Sequence, residues 1–197
     1  GRRFRRLKQS TKYLRKARTL AFFLKIIPWI KLVGISGGLA MENTDKKDDI
    51  DLFIICQKNR LWITRLLALG LLSLTGQRRK VADKGVKIAG KICVNTLLEE
   101  GRLEQSNKDM YLAHEVLQMR PLWYRDGIYE KYLQDNQWVF KYIPNWVGPQ
   151  VQSAKFKVQS DNSKFKIIDY IEEWARWLQL KVMKKPQGLE RIENGAL

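Results

Sequence analysis

The chain has 197 residues, of which 45% are hydrophobic and 29% charged; this composition suits one domain with a hydrophobic core and excludes an intrinsically disordered protein. Lysine and arginine number 37 against 20 aspartate and glutamate residues, which gives a formal net charge of +17. Such a surface favours phosphate-rich partners, either nucleic acid or anionic lipid headgroups.

No segment has the length and composition of a membrane-spanning helix. The longest apolar run, 66–74, is shorter than the roughly 20 residues that a span requires. The apolar stretch 20–35 is interrupted by two lysines and a proline. Cys56 and Cys93 lie in apolar runs, and their separation matches neither a metal motif nor a disulfide framework. They are interpreted as buried thiols of a cytoplasmic protein.

The first 28 residues are predicted to form a basic amphipathic helix that ends at Pro28. Eleven lysines and arginines occur up to Lys31, whereas the first acidic residue is Glu42. Apolar residues recur at helical spacing, at Phe4, Leu7, Leu14, Ala17, Ala21 and Leu24. Three interpretations stay open: a solvated charged face, a surface that binds RNA or another polyanion, and a helix that lies on a membrane surface.

Residues 29–120 form the predicted core. In chain order, its elements are a strand over 29–35, a glycine turn at 36–38, a buried strand over 49–56, a buried helix over 60–74, a strand over 91–98, a short strand over 102–105 and a helix over 109–119. Ser106 or Asn107 is the expected cap of the last helix, which ends before Pro121. The expected fold is therefore α/β, with a small mixed sheet flanked by helices.

Residues 121–197 are rich in aromatic side chains, and their pattern predicts a helical C-terminal portion. Its last helix is expected over 162–184, where Tyr170, Trp174 and Trp177 form one stripe. We favour the interpretation that this helix packs between other elements; the alternative is that its aromatic side chains form a platform for a base or an acceptor substrate. The basic helix, the core and this portion are three units or parts of one domain.

The segment VGISGGLAMENTDKKDDIDLFIIC, residues 33–56, contains the side chains that suggest chemistry. Residues two apart on a strand share a face, so Asp49 and Asp51 present their carboxylates side by side. Paired oxygen ligands of this kind hold divalent cations in phosphoryl transfer. Because Gly37 and Gly38 have no side chains, their backbone N–H groups can approach a phosphate directly.

A strand, a Gly-Gly turn, about ten further residues and an Asp-hydrophobic-Asp strand together resemble the DNA polymerase β-like nucleotidyltransferase superfamily, particularly its small and minimal members. The resemblance implies that Asp49 and Asp51 are catalytic and bind Mg²⁺ or Mn²⁺. It also implies that Gly37 and Gly38 hold the phosphates of a nucleoside triphosphate, with Ser36 beside them. The implied reaction transfers a nucleoside monophosphate to an acceptor hydroxyl.

Active members of that superfamily usually add a third acidic residue from a neighbouring strand. The corresponding strand here, KICVNTLLEE, has Asn95 at its centre, and an amide cannot accept a proton near neutral pH. Glu99 shares the strand parity of Asn95 but lies about 13 Å further along, and Glu104 is a less constrained candidate. We therefore expect nucleotide binding with weak or absent turnover.

Three functions are consistent with these features. The first is an Mg²⁺-dependent nucleotidyltransferase. The second is a nucleotidyltransferase-like module that has lost catalysis and binds nucleotide or RNA, and the third is a basic peripheral membrane protein. His114, the single histidine, is predicted to lie in a helix, and neither it nor Glu115 is given a chemical role.

Overall fold

The computed structural model describes residues 1–80, 83, 85–147 and 166–183. Their helices are α1 (Arg2–Leu24), α2 (Gly37–Ala40), α3 (Leu61–Leu74), α4 (Met110–Gln118), α5 (Ile128–Asp135) and α6 (Lys166–Val182). Their strands are β1 (Ile30–Ile35), β2 (Ile50–Cys56), β3 (Ile92–Glu99) and β4 (Arg120–Tyr124). Short 3₁₀ turns occupy Gly85–Ile88 and Gln137–Lys141.

The four strands form one sheet in the order β3-β2-β1-β4. β1 runs antiparallel to both of its neighbours, whereas β2 and β3 are parallel and are joined by a crossover that contains α3. Helices cover both faces of the sheet. This arrangement confirms the predicted α/β class with a small mixed sheet flanked by helices.

The predicted helical C-terminal portion is confirmed by α5 and α6, but its first residues belong to strand β4 instead. Residues Arg120–Tyr124 form an edge strand beside β1, with Pro121 opposite Gly34. Proline is tolerated there because an edge strand needs hydrogen-bond donors on one side only. Gly34 permits the close approach, since a Cβ at that position would lie 2.8 Å from Met119 Sδ and 3.1 Å from the Arg120 carbonyl oxygen.

The segment before α4 also differs from the prediction, because residues 102–105 form no strand. The side chain of Asn136 holds their backbone instead: Asn136 Nδ2 donates to the Leu103 carbonyl, and the Gln105 N–H donates to Asn136 Oδ1. The predicted helix is present as α4, but its cap is Asp109, whose Oδ1 accepts a 2.7 Å hydrogen bond from the Leu112 N–H.

Side chains that alternate along β2 enter two hydrophobic cores, one on each face of the sheet. One core contains Leu52 and Ile54 with apolar residues of α1, α3 and α6. The other contains Phe53 and Ile55 with apolar residues of α4 and α5. Asp51 has the parity of Phe53 and Ile55, and therefore lies on the α4 side of the sheet.

Helix α1 packs on the sheet through its second half only. Of the predicted apolar stripe, Ala17, Ala21 and Leu24 are buried, whereas Phe4 and Leu7 are exposed. The first turns of α1 therefore extend beyond the hydrophobic core. Among the described residues, no helix is both long enough and apolar enough to cross a bilayer.

Helix α6 packs against α3, but not through its aromatic stripe. Glu172 of α6 accepts hydrogen bonds of 2.7 and 2.9 Å from the N–H groups of Trp62 and Ile63 at the start of α3. The helix therefore packs against another element, as predicted, whereas the stripe formed by Tyr170, Trp174 and Trp177 is exposed.

Candidate functional site

The turn between β1 and α2 is fixed to the head of β2. The Ser36 N–H donates to the Asp51 carbonyl at 3.1 Å, and the Asn43 N–H donates to the Gly38 carbonyl at 2.9 Å. Gly37 has a left-handed backbone, with φ of +59°, and a Cβ there would lie 2.8 Å from Asp51 Oδ2. Glycine at position 37 thus keeps the turn directly beside a carboxylate.

Two carboxylates and one thiol meet at this end of the sheet. Asp49 precedes β2 by one residue, and Asp51 is the second residue of the strand. Cys93, the second residue of β3, lies opposite Asp51 in the parallel register. One ligand atom from each of Asp49, Asp51 and Cys93 lies within 4.8 Å of the others, so the three side chains are close enough to share a metal ion.

Backbone hydrogen bonds align the starts of the two parallel strands. The Ile50 N–H donates to the Lys91 carbonyl, and the Gly90 N–H donates to the Asp48 carbonyl, each at 2.8 Å. The residues that lead into β2 and β3 are therefore held side by side. This alignment brings Cys93 to Asp51, although 41 residues separate them in sequence.

Arg79 provides a positive charge at the carboxylate pair. Its Nη1 lies 2.6 Å from Asp49 Oδ2. The Arg79 N–H donates to the Ile92 carbonyl at 2.8 Å, which fixes this residue beside the start of β3. The guanidinium group therefore balances the charge of Asp49.

The local environment disfavours negative charge on Asp51 and Cys93. Burial and the neighbouring charge of Asp49 raise the pKa of Asp51 to about 6, and Arg79 partly opposes this rise. Burial and the charge of Asp51 raise the pKa of the Cys93 thiol to about 11. A site with these properties gains most from a bound cation, because a cation stabilises both ionised forms.

The sequence-predicted third-acid candidates lie elsewhere or make other contacts. Asn95 is close to the turn, where its Nδ2 is 3.5 Å from Ser36 Oγ. Glu99 lies at the far end of β3, opposite Cys56, and accepts backbone hydrogen bonds at the start of α3. Glu104 is exposed and pairs with Lys108 at 2.6 Å. Neither Glu99 nor Glu104 belongs to the group formed by Asp49, Asp51 and Cys93.

Sequence reasoning missed Cys93, Arg79 and Glu115. Cys93 was interpreted as a buried thiol, but it is half-buried and faces the carboxylates. Glu115 of α4 contributes to the raised pKa of Asp51, so its charge acts on the site. Comparing strand starts would have identified Cys93, because Asp51 and Cys93 are each the second residue of neighbouring parallel strands.

Comparison with known proteins adds little to this geometry. No family model matches this chain. No curated protein matches it either. One solved structure, a crystal structure of a toxin-antitoxin with AMP-PNP, is similar over 90% of this chain and 98% of its own, at 14% identity. Its TM-score of 0.32 is too low to support an argument about fold or ligand.

Proposed function

We propose that the protein is a divalent-metal-dependent nucleotidyltransferase that transfers a nucleoside monophosphate from a nucleoside triphosphate to an acceptor hydroxyl. The observation that carries the proposal is the contact between a glycine turn and a pair of carboxylates. Gly37 leaves room for Asp51 Oδ2, and Asp49 lies beside it. A turn that can hold phosphates therefore adjoins ligands that can hold the metal of a metal–triphosphate complex.

The ligand set fits Mg²⁺ or Mn²⁺. Carboxylate oxygens of Asp49 and Asp51 are the hard ligands that these ions prefer, and they lie within 4.8 Å of each other. When bound, the ion supplies positive charge to the triphosphate. Asp49 and Asp51 would hold it, the backbone at Gly37 and Gly38 would bind phosphate oxygens, and Arg79, released from Asp49, would be free to pair with a phosphate.

Asp49→Asn and Asp51→Asn test this proposal. Each removes a charge at nearly constant volume, so the fold should persist while Mg²⁺-dependent nucleotide binding is lost. Isothermal titration calorimetry with each of the four triphosphates, with and without Mg²⁺, measures the effect. Asp126→Asn is the matched control, because Asp126 is exposed after β4 and its left-handed backbone tolerates asparagine. Unchanged affinity in either site variant would place the nucleotide elsewhere.

A second candidate function is a module that binds nucleotide without efficient turnover. Cys93 favours it, because the position opposite Asp51 offers a thiol with a raised pKa rather than a carboxylate. Loss of a general base typically slows a reaction by about 10²- to 10⁴-fold.

Cys93→Asp distinguishes the two functions. A third carboxylate beside Asp49 and Asp51 should tighten Mg²⁺ binding and increase pyrophosphate release by at least about 10-fold, if a missing base limits the natural chain. Cys93→Ser is the control, since it removes the thiol without adding charge. Rapid pyrophosphate release by the natural chain, unchanged in Cys93→Asp, would show that no third acid is needed.

A further inference from the structure

A cleft with a volume of about 280 Å³ separates the first turns of α1 from the loop that leads to Asp49. We name it the α1 cleft. Its polar lining consists of Arg2, Arg5, Arg6, Gln9, Thr44 and Lys46, with Asp45 as its one acidic residue. The volume is at the lower end of ligand pockets, so the cleft suits a small anionic group rather than a whole nucleotide.

Two polar atoms of this lining are buried without a hydrogen-bond partner among the described residues: Arg6 Nε and Thr44 Oγ1. Thr44 as a whole is 1% exposed, and its own N–H donates to Ser10 Oγ at 3.1 Å. The other end of the Arg6 guanidinium is fixed, because Nη1 donates to Asn43 Oδ1 at 2.8 Å. Buried polar groups are normally paired, so these two donors indicate an acceptor that completes the site.

The positive charge of the cleft favours the binding of an anion. Within the described ranges, Arg2, Arg5 and Lys46 form no ion pair. The Asp45 carboxylate is directed to backbone, since its Oδ1 accepts a hydrogen bond from the Lys46 N–H at 2.5 Å. Four cations and two unpaired donors around a small recess match a phosphate group, which has several acceptor oxygens.

The orientation of the cations favours a nucleic acid strand over a membrane. Arg2, Arg6 and Gln9 are spaced so that they share the face of α1 that continues to the buried Tyr13. Phe4 and Leu7 are exposed on the other side of the helix. A helix that lies on a bilayer buries its apolar side and places its cations against the lipid headgroups, whereas the cations of the cleft lie on the side of α1 that faces residues 44–46.

We propose that the α1 cleft binds a backbone phosphate of a single-stranded nucleic acid. The loop that forms the wall of the cleft connects to the glycine turn and to the carboxylates. The Asn43 N–H donates a hydrogen bond to the Gly38 carbonyl, and Asp49 follows six residues after Asn43. A strand held in the cleft is therefore positioned one loop away from the carboxylates. The binding of this strand does not depend on the proposed function. Its role as the acceptor of the transferred nucleotide does.

Fluorescence anisotropy with a labelled oligouridylate, in the absence of metal and nucleotide, tests the binding. The cleft variant Arg2→Gln/Arg6→Gln/Lys46→Gln should bind at least about 10-fold more weakly, and its log–log salt slope should fall by about 0.7, the value for one lost phosphate contact. The matched control Lys8→Gln/Arg15→Gln/Arg18→Gln removes the same charge from the exposed side of α1 and should stay within about threefold. Equal losses in the two variants would overturn the assignment.

Thr44→Val provides an independent arm that leaves the net charge unchanged. It removes the unpaired hydroxyl and should weaken oligonucleotide binding severalfold without lowering the unfolding temperature; unchanged affinity would contradict a phosphate at this position. If a deoxyoligonucleotide and the RNA bind with equal affinity, the phosphodiester is the group that the cleft recognises. If the RNA binds more tightly, the protein also contacts the 2′-hydroxyl. Binding to phosphatidylserine vesicles but not to either oligonucleotide would also overturn the proposal.

Discussion

Arg79 and Asp49 form an ion pair where a divalent cation would have to bind. The guanidinium group is 2.6 Å from Asp49 Oδ2, and about a third of its side chain is exposed. Ion pairs with this exposure contribute up to about 1 kcal/mol. If the proposed function holds, a metal ion would displace Arg79 at modest cost, and the arginine would compete for the site without blocking it.

Arg79→Gln should consequently tighten Mn²⁺ binding by up to about fivefold, which corresponds to the free energy of the lost pair. Electron paramagnetic resonance of free Mn²⁺ during titration measures this affinity without any catalytic step. Arg78→Gln is the control, because Arg78 contacts Ser73 and makes no contact with the carboxylates. Weaker Mn²⁺ binding in Arg79→Gln would show that the arginine organises the carboxylates instead of competing for them.

The raised pKa of Asp51 makes stability depend on pH. Its pKa of about 6 in the folded protein exceeds the ordinary value of 3.8, so the folded state binds more protons between these values. Stability should fall as pH rises from about 4 to about 6, and the ionised carboxylate then destabilises the fold at neutral pH. The cause is burial beside Asp49, and a bound metal would remove the penalty.

Asp51→Asn should therefore be more stable than the natural chain at pH 7.5, by about 1–2 kcal/mol once solvent screening is allowed for. The difference should vanish below about pH 4, where Asp51 is protonated in both states. Urea unfolding at the two pH values measures it. A variant that is less stable at pH 7.5 would mean that the Asp51 carboxylate is stabilised by its surroundings.

At the scale of secondary structure, local pattern identified the elements that contain the carboxylates. The apolar runs predicted β1 and β2, and the glycine pair predicted the turn between them. The register of β3 could not be predicted from its own sequence, because Cys93 and Asn95 are two residues apart and a regular strand would place both on one face. Only the pairing with β2 makes Cys93 the neighbour of Asp51. The sequence therefore predicts which strands form the site, but not which residue of β3 enters it.

Strand β4 and helix α6 show the same limit in the C-terminal part of the described chain. Residues 120–124 form a strand because they pair with the edge of β1 and because Gly34 has no side chain to block their approach. Neither condition can be recognised in the sequence of residues 120–124. In α6, the side chains that pack are Glu172, Ala175 and Gln179, two of them polar. Glu172 is buried because the start of α3 supplies donors to it, and an apolar pattern cannot predict a buried carboxylate.

For the whole molecule, the net charge of +17 sets which species reaches the site. A surface of this charge attracts polyphosphates and repels free divalent cations. The carboxylate pair is a small negative region within it. Metal should therefore bind more tightly together with a triphosphate than alone. Because the coupling between two ligands is reciprocal, the calorimetric titrations of triphosphate with and without Mg²⁺ measure that difference.

The parallel pairing of β2 and β3 also determines when the site can form during folding. Asp49 and Asp51 belong to a hairpin of nearby strands, but Cys93 and Arg79 reach them only after the crossover through α3 has closed. Closing a long loop costs entropy before its contacts form, which makes such pairings late events. Before that closure the two carboxylates would lack the charge of Arg79, and like charges repel. Arg79, which neutralises the charge of Asp49, reaches the site when β3 pairs with β2. We therefore expect the site to assemble in the same step in which the crossover closes.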